Sequence, residues 1–472
     1  MKNLLFTLCL LNVGIFLNAQ NVGIGTTSPA EKLDVVGNIK TSGEIKPNGV
    51  AGQAGQVLTS NGNGTMQWTA ATNTPSTYSN VGGFGPWGGC EIQNITDMYP
   101  AGAAQGVTNS DYGYSVDISG DYAIVGAPGE SHPQTESINA GSVSILKRNA
   151  TSGEWDVQAK FFDTSIETNE YWGDKVAISG NYAAVGNWRE DTLGFTNTGS
   201  VSLFKRNAST GQWAFHSKIY NNNNGLSYNF GWSIAMDGDY LIVGIINEVI
   251  NGIKAVSANI YKRNSTTDVW ELQQKIIHPN YAAADNFGYS VDIDGDHAIV
   301  GAPYDDIGAI DNGSAHIYKR NASNIWVVLP TLYNGANNGD NFGFSVDIST
   351  ANKTVAVGAI GDDIAGTVDA GTVTVYYENP AGLWLAATTL YIPTNTSDNA
   401  FGYSIDIDEN YLMIGDHQYN TGRGKVYIYK KVGNLYMMIE EFVNPFSVTT
   451  NEFFGGALSM DGTTKRFIIG CQ

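Results

Sequence analysis

The chain has 472 residues, among them 56 Gly and 25 Tyr, and its 45 acidic against 25 basic residues leave a formal net charge of −20. That balance disfavours nucleic acid and anionic membrane surfaces as partners. The Gly- and Tyr-rich composition points to turn-rich β structure, and the length is ample for a sizeable core in one large β domain.

Residues 1–19 have the form of a secretory signal peptide: Lys2 at the start, an apolar stretch over 4–17, and Ala19 near the end. The apolar stretch is too short to stay in a bilayer as a permanent anchor, and no later one is long enough. The expectation is export, to the cell surface or beyond it, without membrane insertion. Cys9 lies inside this segment, so the mature chain keeps Cys90 and Cys471, which suits an exported protein with one disulfide or none.

Residues 20–70 alternate short β runs, such as Lys32-Leu33-Asp34-Val35-Val36, with Gly and Asn turns, and lead to Trp68. The segment resembles the stalk-like β segments of phage tail fibres and of bacterial surface proteins. That resemblance implies a homotrimer formed through it. The same composition also reads as a flexible spacer. Residues 71–86 read as a linker.

From residue 110 onward the chain repeats itself. An aromatic–Gly pair recurs at Gly113, Gly173, Gly231, Gly288, Gly343, Gly402 and Gly455, at steps of 53 to 60 residues. A period of that size marks a repeat architecture. In the first copy apolar residues alternate through Tyr114, Val116 and Ile118, the chain turns at Ser119-Gly120, and a second run follows over 122–125. This is the pattern of a tight β-hairpin. A third strand ends in Lys147-Arg148-Asn149, and a Trp opens a fourth: Trp155, Trp213, Trp270, Trp326, Trp384, with Tyr436 in the sixth copy. Four short antiparallel strands per repeat make a propeller blade.

The seventh copy stops after two strands, 457–460 and 467–470, whereas residues 87–109 read as a fourth strand without a repeat of its own. The prediction is therefore an all-β, seven-bladed propeller of four-stranded blades over 87–472, its last blade closed by N- and C-terminal segments. Such closure brings Cys90 and Cys471 into one sheet. They can bond only if no third strand lies between them, for which 77–81 is a weak candidate.

These repeats resemble the FG-GAP family, the propeller of integrin α subunits and of many exported bacterial proteins. The calcium-binding members carry a long acidic loop between the first two strands. Here that connection has shrunk to Asp117-Ile118-Ser119-Gly120-Asp121, too short to wrap an ion in six or more oxygens. No metal is expected there, and no cofactor.

Antiparallel topology puts the loops between strands two and three, and the connections between blades, on one face. Those loops vary in length and content over a constant frame, as a binding face does. Their carboxylates Glu130, Asp191, Asp305, Asp306, Asp362 and Asp363 are the candidate ligand-binding residues, joined by Asp285, Asp340 and Asp398 from the interblade connections. Such a rim suits weak calcium binding or a basic partner, and equally a solvated acidic surface. The Lys-Arg pairs at the ends of the third strands gather on the opposite rim.

Asp117, Asp292, Asp347 and Asp406 of the innermost strands fall near the propeller axis. There they either bind a cation or accept hydrogen bonds from neighbouring blades. The six histidines are scattered and form no catalytic motif. The function expected is a binding or adhesion module for a protein or glycan. An extracellular glycan-active hydrolase or lyase and a structural matrix component are the alternatives.

Overall fold

The computed structural model describes residues 111–471 except 134–136, 164–167, 192–193, 222–227, 251–252, 255, 280–284, 336, 365, 393–399, 409 and 445–452. It also describes the backbone of four strands nearer the N-terminus. The chain divides into two compact units, residues 1–83 and 84–472. In the first, Val22–Ile24 pairs in parallel with Leu33–Val35, and Gln56–Ser60 pairs antiparallel with Met66–Ala70.

The second unit is a propeller. Its first blade is Val116–Ser119, Tyr122–Ala127, Ser142–Arg148 and Trp155–Phe161, paired antiparallel in that order. Five more four-stranded blades follow, with innermost strands Lys175–Ser179, Phe230–Asp237, Ser290–Asp294, Phe342–Ser349 and Phe401–Asp408. A two-stranded sheet, Ala457–Asp461 with Arg466–Gly470, comes last. Among the described residues the four-stranded blades therefore number six, not the seven expected. The last copy supplies only a hairpin, and the residues assigned to complete it, 87–109, lie outside the described residues, as does Cys90. Cys471 is half-buried at the end of this hairpin, its Sγ 3.8 Å from Asn444 Nδ2.

Burial follows the strand order. The second strand of every blade is buried along its whole length, with an apolar run such as Tyr122–Ala127, whereas the fourth is exposed or half-buried at most positions. Each buried Val, Leu or Ile removed from water contributes roughly 1.5–3 kcal/mol, and each blade's core is completed by the next. The recurring Trp takes part in this packing. Trp213, Trp270 and Trp326 meet Tyr122, Tyr182 and Tyr240 of the preceding blades edge-on, at 5.7–5.9 Å between ring centroids.

The Arg of three of the four Lys-Arg pairs makes a further contact between blades. Arg206, Arg263 and Arg320 stack over the same three tyrosines at 4.5–4.7 Å. The cations gathered on that rim are interblade staples.

The recurring glycines are explained by close backbone approach. A Cβ on Gly301, in the second strand of the fourth blade, would lie 2.1 Å from Gly343 O of the fifth. Gly343 itself has φ +94, a conformation that L side chains rarely adopt. The same contact runs from Gly470 to Gly113 O, where a Cβ would lie at 2.0 Å, so the last hairpin abuts the first blade and the ring closes.

Candidate functional site

The first strands converge on the axis, and the residue after each aromatic–Gly pair stands at the loop-face end of the channel they enclose. Those residues are Tyr114, Asp174, Trp232, Tyr289, Phe344, Tyr403 and Gly456. Trp232, Tyr289, Phe344 and Tyr403 form a continuous rosette with centroids 5.1–5.6 Å apart, extended by Trp188 at one end and by His417 and Phe453 at the other. All seven rings except the buried His417 are half-buried or better exposed at this end.

The second blade departs from the pattern. Where Ser115, Ser233, Ser290, Ser345 and Ser404 donate to the carbonyl of the next blade's glycine, it has Lys175. The ammonium lies 3.6 Å from Asp174 Oδ1 and over the Tyr114 ring at 5.6 Å. Burial works against its charge, but Asp174 and then the surrounding tyrosines outweigh that and hold its pKa above the usual lysine range. Burial in turn pushes the Tyr289 hydroxyl up. One cation and one carboxylate thus stand beside the rosette.

Beyond the rosette, toward the hairpin turns, a polar cavity of about 530 Å³ is lined by Asp117, Asp292, Asp347, Asp406 and the second row Asp237, Asp294, Asp408 and Asp461. The first row bonds between blades. Asp117 Oδ2 accepts Ile178 N at 2.6 Å, Asp292 Oδ2 accepts Ile348 N at 2.9 Å, Asp347 accepts Ile407 N, and Asp406 Oδ2 accepts Met460 N at 3.2 Å. In the second and third blades Ala177 and Ala235 hold this place and offer no acceptor.

Burial pushes the Asp117 carboxyl up to about 6, against the bonds it accepts from Ser459, Ile178 and Ile118. Burial likewise raises Asp347 and Asp406 well above the ordinary carboxylate range. Calcium does not fit these hairpins. Both oxygens of Asp117 already face N–H and O–H donors, and Asp121 Oδ1 is taken by Arg466 at 2.7 Å.

A family model described as FG-GAP repeat matches residues 102–146, 155–204 and 270–318, which fall on the first, first–second and third–fourth blades. The chain carries FG-GAP repeats over these residues. No curated protein matches it significantly. Among solved structures, a candidate 6-phosphogluconolactonase from Bacteroides uniformis aligns at 11% identity over 70% of this chain and 85% of its own, with a TM-score of 0.49. Another from Bacteroides fragilis aligns at 12% identity over 70% and 84%, at 0.45. The periplasmic gluconolactonase of Pseudomonas aeruginosa aligns at 12% over 69% and 84%, at 0.44.

The acidic residues of the FG-GAP loop face do not form one cluster but divide into two kinds. Glu130, Asp305 and Asp362 turn inward and accept from the hydroxyl that opens the third strand of their own blade: Ser142, Ser314 and Thr372. Two members of this buried row, Glu190 and Glu248, were missed because nothing in a single loop marks them. Only their common place, three residues after the second strand, does so.

Asp191, Asp306 and Asp363, one residue further on, are exposed. Each bridges its own loop: Asp191 Oδ1 accepts Asn197 N at 2.7 Å, Asp306 Oδ1 accepts Asp311 N at 2.9 Å, and Asp363 Oδ1 accepts Asp369 N at 2.9 Å. Of the interblade carboxylates, Asp285 and Asp340 are 2% exposed and Asp398 lies outside the described residues.

What these bridges hold is apolar. Phe195, Ile310 and Val368 stand within two residues of the bridged amides at 42%, 64% and 58% exposure, and Ile138 of the first blade matches them at 61%. Asn139, Asn197, Asp311 and Asp369 beside them take φ of 51–53°. The next interblade connection ties down two of the tips, Asn169 N bonding Ile138 O and Gly339 N bonding Ile310 O at 2.9–3.0 Å. The loop face is therefore a crown of fixed apolar tips around the aromatic rosette.

Proposed function

We propose that the chain is an exported binding module that holds a protein ligand against the loop face of its propeller. The observation that carries this reading is the crown of Ile138, Phe195, Ile310 and Val368, large apolar side chains left in water on the loops of four blades, three of them bridged by an aspartate. Tips fixed before contact lose little conformational freedom on binding, which favours affinity per unit of buried area. The charge of −20 keeps such a surface soluble and selects against polyanions. The apolar start of residues 1–19 supports export, and residues 20–70 are proposed to present the propeller as a stalk.

A second reading, glycan binding, is favoured by the rosette. Half-buried rings of Trp232, Tyr289 and Tyr403 beside a compensated Lys175–Asp174 pair suit the apolar face and hydroxyls of a sugar ring. Screening the full chain against arrays of extracellular proteins and of glycans tests both. A protein ligand lost in a variant with all four tips changed to Ser supports the first reading. A glycan lost on Trp232→Ala and Tyr403→Ala supports the second. A ligand indifferent to both sets of changes overturns the placement on this face.

A further inference from the structure

The buried carboxylate row has a lysine counter-ion in the first three blades. Lys160 lies 2.6 Å from Glu130, Lys218 lies 2.6 Å from Glu190, and Lys275 pairs with Glu248. Each lysine comes from the fourth strand of its own blade. In the fourth blade that strand ends early, at Val328 ahead of Pro330, and no lysine reaches Asp305. Two imidazoles stand there instead. His316 occupies the third-strand place held by Ser144, Ser202, Asn259 and Thr374 elsewhere, and His278 comes from the chain leaving the third blade, eight residues after Trp270. The fifth blade also lacks the lysine, but there the neutral donors Asn334 and Thr372 serve Asp362.

We propose that His278, Asp305 and His316 form a structural site for a divalent transition metal of the zinc class, joining the third blade to the fourth. One ligand atom from each lies within 4.8 Å of the other two, and all three residues are buried. His278 Nε2 is 3.0 Å from Asp305 Oδ2, and Ser314 Oγ, 2.6 Å from the same oxygen and 2.9 Å from His316 Nε2, is a fourth donor in reach. Tetrahedral bonds of about 2.0–2.1 Å set ligand atoms about 3.3–3.4 Å apart, so small side-chain rotations close the set. The outer nitrogen of His316 has a hydrogen-bond partner, as metal-binding imidazoles commonly do. Thr331 Oγ1 stands 3.3 Å from His316 Nδ1 and Asp285 Oδ2 stands 4.0 Å from His278 Nδ1, leaving both Nε2 atoms to the centre.

The site is closed to substrate. Ser314 is 0% and His316 1% exposed, so their hydrogen bond is no hydrolytic dyad, and the metal's role is to brace.

The test uses the full chain, stripped with a strong chelator and titrated with Zn²⁺ and, for its spectrum, Co²⁺. The expected result is one equivalent bound, visible d–d absorption from low-symmetry Co²⁺, and a rise in Tm with Zn²⁺. His278→Ala and His316→Ala should abolish these, while His216→Ala on the blade surface should not. Thr331→Val, which keeps the shape, should weaken Zn²⁺ by about 10–100-fold. Absence of uptake by the wild-type chain, or uptake indifferent to Thr331→Val and His278→Ala, overturns the proposal.

Discussion

Asp461 Oδ2 accepts the backbone N–H of Gly120 at 2.6 Å across 341 residues of sequence. Beside it Ser459 Oγ donates to Asp117 Oδ1 at 2.7 Å and accepts Ile118 N at 3.1 Å. The C-terminal hairpin thus docks on the first blade with the bonds that blades elsewhere use on one another. Asp461→Ala and Ser459→Ala should each cost about 1–2 kcal/mol, read as a lower midpoint in denaturant, because a buried partner loses its acceptor or donor. Removing residues 457–472 should abolish soluble expression, since it uncovers both flanking blades. Full stability of that truncation would show that closure does not depend on the hairpin.

Gly301 and Gly295 separate steric from conformational demand. Gly301→Ala puts a methyl 2.1 Å from Gly343 O, backbone that cannot yield without parting two blades. The expected loss is at least about 3 kcal/mol, with failure to fold at the extreme. Gly295→Ala, in a hairpin turn at φ +59 with only the Thr350 side chain nearby, should cost about 1–2 kcal/mol. Comparable melting temperatures for the two variants would contradict the close approach.

Protonation of the channel follows from its burial. Asp117 titrates at about 6 in the folded chain against an ordinary 3.8, so the proton binds the folded state more tightly. That contribution to stability is full below about pH 4 and is lost as pH rises through 6; it is at most about 3 kcal/mol. Burial shifts Asp347 and Asp406 in the same direction. Melting should therefore show a component that falls between pH 4 and 7, smaller in Asp117→Asn, whose amide oxygen still accepts Ile178 N. A pH profile identical in the variant would place the titration elsewhere.

The bridge from Asp306 to Asp311 N should matter to binding more than to folding. Asp306→Ala frees the Ile310 tip and should weaken the loop-face ligand by about tenfold, with Tm moved by no more than a degree or two. Asp306→Asn keeps an acceptor and should restore most of the affinity. Equal affinities for the Ala and Asn variants would leave the bridge without a role in recognition.

The blade was legible in the sequence because its signals are local and repeated. Alternation through Tyr114, Val116 and Ile118, the Ser119-Gly120 turn and the Trp opening each fourth strand recur in register, and six blades follow them. The channel aspartates were legible as well: of acceptors for neighbouring blades and ligands for a cation, the structure shows the first. Three matters only the tertiary structure decided. The sequence anticipated a ring closed at its ends, but not the contact of Asp461 with Gly120 that makes it, since no local pattern relates residues 341 apart. The loop carboxylates looked alike in sequence, but one residue of offset turns Asp305 inward to Ser314 and leaves Asp306 at the surface, bridging to Asp311 N. His278 and His316, scattered along the chain, meet because the strand that should carry a lysine ends early and the preceding blade's exit passes over the gap. Sequence specifies each blade through short-range periodicity, and what forms between blades depends on distances that only the closed ring sets.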